Sequence, residues 1–157
     1  GRTDVIFAAK QAGFSCDWTS LCQDAMYAIL PPDYPLDGQE TFPIEAFEGK
    51  EFLMPYGKFD LDVKAALSAN NVKPKIRPCH VDDETVIRMV GKGLGLSMMA
   101  EMMIRGRTNG VTAVPIEPAT GRELGMGLHM RESMPDGILR LRECVLAFIG
   151  TLPGTES

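Results

Sequence analysis

At 157 residues the chain has length for one domain or two small lobes and for a real buried core. Hydrophobic content of 45% and charged content of 24% exclude a disordered chain, and no apolar run approaches the ~20 residues needed to span a bilayer. A net charge of −5 without a basic run argues against direct nucleic-acid contact, because phosphate neutralisation dominates that affinity.

In chain order, Asp4 to Ala9 (D-V-I-F-A-A) reads as a short buried strand. Cys22 to Leu30 reads as a second, with Ala25, Tyr27 and Ile29 on one face, stopped by Pro31, Pro32 and Pro35. Phe42 to Lys50 suggests a short helical turn, opened by Pro43 and stopped by Gly49. Glu51 to Met54 is a strand that runs into the turn Pro55-Tyr56-Gly57-Lys58. Asp60 caps a helix to Ala69 with Val63, Ala66 and Leu67 on one face, and Asn70 and Asn71 suit its end. Lys75 to Cys79 is a strand. Asp82 or Asp83 opens a helix with the apolar stripe Val86, Ile87, Val90, closed at Gly91 or Gly93. Leu94 to Met99 is strand-like, and a short helix to Arg105 follows. Val111 to Ile116 and Glu123 to Met130 are strands, and Pro135 to Leu152 is a helix on Ile138, Leu141, Val145, Phe148 and Leu152. Strands alternating with helices imply an α/β fold with a largely parallel sheet.

The run from Val81 to Met103 is the most ordered stretch: a capped amphipathic helix, a Gly-x-Gly-x-Gly turn, a short strand and a second helical start. Gly91-Lys92-Gly93-Leu94-Gly95 fails as a dinucleotide fingerprint, since Leu96 stands where the last Gly belongs and the glycines close a helix. It reads as a helix C-cap and tight turn. Asp82-Asp83-Glu84 reads first as a cap that complements the helix dipole, with metal ligation or general-base work as the rival. Tyr56-Gly57-Lys58 lies between a strand and a helix, where α/β folds bind ligands, so a Tyr hydroxyl and a Lys ammonium there suit a carboxylate; a solvated turn is the alternative. Ser97 is either a ligand contact or a helix cap. Cys16, Cys22, Cys79 and Cys144 match no metal or disulfide spacing and are expected as reduced, mostly buried thiols. No nucleophile elbow and no zinc-protease motif is present. No catalytic residue, metal or cofactor is expected. No secretory signal is visible, and the reduced thiols suit a cytoplasmic protein; no membrane contact is expected.

In this order the elements resemble the effector-binding (substrate-binding) domain of LysR-type transcriptional regulators. Gly1-Arg2-Thr3-Asp4-Val5-Ile6 is similar to the family's G-x-x-D-hydrophobic strand, and Pro32-Asp33-Tyr34-Pro35-Leu36 to its "hpl" turn. Phe42 to Phe52 resembles the family's short helix and strand. Val86 to Met99 is similar to V-x-x-G-x-G-i-x-l-l-P, departing from it where Met99 and Ala100 replace the closing Pro. Glu123 to Leu152 resembles the return strand and last helix.

The resemblance implies a type 2 periplasmic-binding-protein-like α/β fold of two lobes with a cleft. Residues 32–118 would form lobe II, and residues 1–31 plus 119–157 a partial lobe I without its N-terminal part. It implies crossovers at Leu30, Pro31 and Pro32 and at Ile116, Glu117 and Pro118. A small metabolite, taken here as a carboxylate, would bind in the interlobe cleft at Tyr56, Gly57, Lys58, Val81, Asp82, Ser97, Met98 and Met99, with Ala8 and Lys10 from lobe I. Trp18 is either a wall of that site or a packed indole. The implied function is to sense an effector and change a homodimer or tetramer, with DNA contacted only by a separate helix-turn-helix. The alternatives are a small α/β enzyme acting on a small carboxylate, with Tyr56, Lys58 and Asp82 in acid–base roles, or a periplasmic-type solute-binding protein.

Overall fold

The computed structural model describes residues 3–11, 13–55, 60–129 and 134–151. The chain divides into two compact units, the first of residues 1–23 with 122–157 and the second of residues 24–121.

In the second unit the sheet is built on β2 (Asp17–Leu30), which enters it at Asp24. β6 (Ser97–Ala100) and β7 (Thr112–Glu117) pair with it antiparallel on its two sides. β3 (Phe42–Pro43) pairs parallel with β7. β4 (Glu51–Pro55) and β5 (Lys75–Cys79) pair parallel in register, Pro55 opposite Cys79. A parallel bridge between Phe52 and Leu96 joins β4 to the start of β6. The order is thus β5-β4-β6-β2-β7-β3, with β2 alone among these strands running against the rest. Parallel neighbours require crossovers, and helices supply them. α1 (Asp60–Ala69) links β4 to β5, and α2 (Asp83–Gly91) carries the chain on to β6.

Both faces of this sheet are covered, so its strands bury successive residues on opposite sides. Phe52, Met54, Met26, Ala28, Leu30 and Met98 join Val63, Ala66 and Leu67 of α1 in one core. Leu53, Ile29 and Met99 join Val86, Ile87 and Val90 of α2 and Ile104 of α3 (Glu101–Ile104) in the other. Of the expected Ala25-Tyr27-Ile29 face, Ile29 is buried, Tyr27 half-buried and Ala25 exposed, while Asp24, Met26, Ala28 and Leu30 on the opposite face are all buried. Phe42, Phe47 and Phe52 pack tilted and edge to face with centroids 4.7 and 5.2 Å apart, Phe47 coming from the short 3-10 helix Ile44–Phe47. β5 presents Lys75, Ile76, Arg77 and Pro78 to solvent, and charges with a proline blunt such an edge.

Helix ends follow the expected chemistry. After α1, Asn71 takes φ 55°, its N–H donates to Ser68 O, and the Val72 N–H donates to Leu67 O. After α2, Gly93 takes φ 73°, its N–H donates to Val90 O, and the Leu94 N–H donates to Met89 O. The glycine run is thus a helix stop that turns the chain into the sheet. The crossover residues Leu30, Pro31, Pro32, Ile116, Glu117 and Pro118 all lie inside the second unit, which the chain leaves at Gln23 and Arg122.

In the first unit β1 (Val5–Ala9) pairs antiparallel with β8 (Gly121–Leu128), and β8 lies between β1 and the first half of β2. β2 starts at Asp17, earlier than the expected Cys22, because the polar run Asp17 to Ser20 joins the sheet through its backbone. α4 (Asp136–Ile149) forms as expected, but none of its side chains is fully buried, and Phe148 is 64% exposed. Leu152 lies outside the described residues. The expectation of mostly buried thiols is corrected: Cys79 is buried, Cys16 and Cys22 are half-buried, and Cys144 is exposed on α4. Cys144 lies on the same exposed line of α4 as Leu141 and Phe148. No described helix is long and apolar enough to cross a membrane.

Candidate functional site

In the second unit the parallel strands β5, β4 and β6 end on one side of the sheet. Ligands of α/β folds bind at such carboxyl ends. Three chain segments leave there. The segment after β4 carries Tyr56, Gly57 and Lys58, which lie outside the described residues. The segment after β5 is its direct neighbour, since Pro55 pairs with Cys79. It runs through His80 and Val81 to Asp82. The segment after β6 is Ala100 to Met102, entering α3.

Asp82 caps α2. Its Oδ1 accepts the Thr85 N–H at 2.8 Å, which satisfies one of the helix's orphan donors. That hydrogen bond, with one from the Thr85 side chain and the charges of Arg88 and Arg107, holds the carboxyl below its ordinary range. A carboxylate already occupies this helix N-terminus, and Asp83 and Glu84 add negative charge there. Val81 beside it is 43% exposed.

Ser97, Met98 and Met99 are the first three residues of β6. All three are buried. The Ser97 hydroxyl donates to Leu53 O at 2.8 Å, tying β6 to β4. Met98 and Met99 fill the two cores on opposite faces. At the end of β6 the surface belongs instead to Glu101 and Met102.

A residue outside the expected set holds that end. Asp24 on β2 is 2% exposed, and its Oδ1 accepts the Met102 N–H at 3.0 Å. α3 has no side-chain cap of its own at Ala100, so Asp24 supplies one from the neighbouring strand. The available signal was a lone acidic residue leading an otherwise apolar strand, since a buried charge needs a committed partner. The described polar side chains at this edge thus hold backbone: Asp82 on Thr85, Ser97 on Leu53 and Asp24 on Met102. These bonds fix the backbone at this edge. Among the described residues no cluster of three His, Cys, Asp or Glu side chains is placed to hold a metal.

In the first unit Ala8 is half-buried in β1, opposite Gly125. Lys10 follows the strand. Its N–H donates to Glu123 O at 2.8 Å, and its Nζ lies 3.3 Å from Glu123 Oε2. Trp18 Nε1 donates to Glu123 Oε1 at 2.8 Å. The indole bond first, then Lys10 and Ser20, hold the Glu123 carboxyl below its ordinary range. Trp18 is packed over Gly125, where a Cβ would come within 2.4 Å of its ring.

The family model described as LysR substrate binding domain matches residues 1–149. The chain belongs to the LysR substrate binding domain family. The fold is accordingly of the periplasmic-binding-protein-like α/β type. The chain is 24% identical over 131 residues to the HTH-type transcriptional regulator TtuA of Agrobacterium vitis, a match covering 79% of this chain and 43% of that protein. The chain thus spans less than half the length of this curated relative. Among solved structures it is similar to the Synechocystis PCC6803 CcmR regulatory domain in complex with 2-PG, with a TM-score of 0.80 at 16% identity. That match covers 96% of this chain and 76% of the other. It is also similar to the effector binding domain of QuiR in complex with shikimate, with a TM-score of 0.76 at 12% identity. That match covers 94% of this LysR domain and 72% of QuiR's.

Proposed function

We propose that this LysR domain senses a small metabolite for a DNA-binding transcriptional regulator and performs no catalysis. The family match over residues 1–149 carries the reading. The effector would bind at the carboxyl ends of β4, β5 and β6, against the Tyr56-Gly57-Lys58 segment, Val81 and Asp82. Lys58 would meet a carboxylate, and Asp82 would accept from a ligand hydroxyl while keeping its bond to Thr85. A small hydroxylated carboxylate fits that pair, and the shikimate of QuiR supports this class. The protein would act in the cytoplasm as a homodimer or tetramer, with DNA contacted by a separate helix-turn-helix. Effector and DNA binding would be coupled through differential contacts in two states.

A thermal-shift titration with 2-PG, shikimate and a panel of small hydroxy acids tests this. Saturation at 100 times Kd stabilises by about 2.7 kcal/mol, which is roughly 5–10 °C for a chain of this size. The rise should weaken in Lys58→Ala and Asp82→Ala. Conversion of a binding compound to product would overturn the reading in favour of an enzyme, and no shift across the panel would overturn the hydroxy-acid class.

A further inference from the structure

Asp24 stands where three features of the second unit meet. Its buried carboxylate holds the Met102 N–H at the turn after β6. Its carbonyl oxygen would lie 2.9 Å from a Cβ placed on Gly121, so the strand that leaves the unit passes against the backbone of Asp24. Two residues on, the Met26 N–H donates to Thr120 O at 2.7 Å. β2 enters the unit at Asp24, and β8 leaves it after Gly121. Asp24 therefore lies where the two connecting strands run side by side, and its side chain holds one of the three segments at the candidate binding edge. A buried carboxylate gives up a donor reluctantly, because each hydrogen bond to a charge held away from water is costly to lose. A displacement of the Ala100–Met102 turn must move Asp24 with it or break that bond.

We propose that Asp24 is a positioning residue that couples the turn after β6 to the two strands connecting the second unit to the rest of the chain. Its meaning for sensing rests on the proposed function; the coupling itself does not. Amide hydrogen exchange on the full 157-residue chain tests it without a ligand. The readouts are Met102, Met26 and, as control, Leu53, whose N–H donates to Leu96 O at 2.7 Å on the opposite side of β6. Asp24→Ala should raise exchange at Met102 about tenfold and at Met26 about threefold, with Leu53 unchanged. Asp24→Asn keeps an acceptor oxygen and should leave Met102 near its wild-type rate. Gly121→Ala, which touches the backbone of Asp24 and leaves its carboxylate in place, should also speed Met102, and it serves if Asp24→Ala does not fold. An unchanged Met102 in either disruptive variant, an unchanged Met26 in Asp24→Ala, or an equal rise at all three amides would overturn the coupling. A failed ligand screen with selective exchange changes would instead sink only the sensing reading.

Discussion

The glycine run after α2 offers a sharp test, because its glycines do different work. Gly93 has φ +73° and open space around a would-be Cβ. Gly93→Ala therefore meets only backbone strain, roughly 1–2 kcal/mol for a left-handed residue, partly offset by about 0.4–1 kcal/mol of lost freedom in the unfolded chain. A net loss of about 1 kcal/mol is expected. Gly95 has φ +155°, and its Cβ would lie 2.9 Å from Glu51 O and 3.2 Å from Leu53 Cγ. Glu51 O is also the acceptor for the Leu96 N–H, so a shift there opens the splice between β4 and β6. Overpacking of about 1–3 kcal/mol adds to strain of about 1–3 kcal/mol. Gly95→Ala should thus cost about 3 kcal/mol or more, and lower Tm by roughly 6–12 °C against 2–4 °C for Gly93→Ala. Urea unfolding at matched m-values, with Tm from circular dichroism, measures both. Equal losses in the two variants would refute the assignment of one glycine to conformation and the other to close packing.

Gly125→Ala should push Trp18 off its strand and break its bond to Glu123, since the Cβ would meet the ring at 2.4 Å and Thr19 O at 2.5 Å. Trp18 is the chain's single tryptophan, so a red shift of the native fluorescence reports it directly. Ser97→Ala should cost about 0.5–1.5 kcal/mol for the lost bond to Leu53 O, and it should leave ligand preference unaltered in a thermal-shift panel. The Asp82 and Glu123 carboxyls are both depressed in the folded chain, so each contributes stability above its ordinary value, 3.8 and 4.5 respectively, that is lost as pH falls through the folded value. Urea midpoints should therefore fall with pH below about 4.5, and Glu123→Gln should flatten that dependence; an identical slope in the variant would exclude Glu123 as a contributor.

Local chemistry made most elements readable. Asp82, Asn71 and Gly93 mark helix ends because cap and stop residues are chosen by backbone geometry, which a sequence displays directly. The alternation of Phe52, Leu53 and Met54 marks a strand buried on both faces. What escaped depends on partners remote in sequence. Asp17 to Ser20 does not show as strand because Asp17, Thr19 and Ser20 interrupt the apolar pattern, although its backbone belongs to β2. The hydroxyl of Ser97 before a helical start suits a ligand contact or a cap, and its bond to Leu53 O, 44 residues away, has no local signal.

The same reasoning separates what the binding edge inherits from its sequence and what it inherits from the fold. The Asp82 cap is local, and α2 would place it there in any sheet. The Asp24 cap is not local: it requires β2 and β6 to be neighbours in the register that sets Met26 against Ala100. A one-residue slip in that register would turn Asp24 to the opposite face and leave the Met102 N–H unsatisfied. The turn after β6 is therefore specified by sheet assembly and not by its own residues. Substitutions within Ala100–Met102 that keep the backbone should leave its geometry intact, while changes at Asp24 should not.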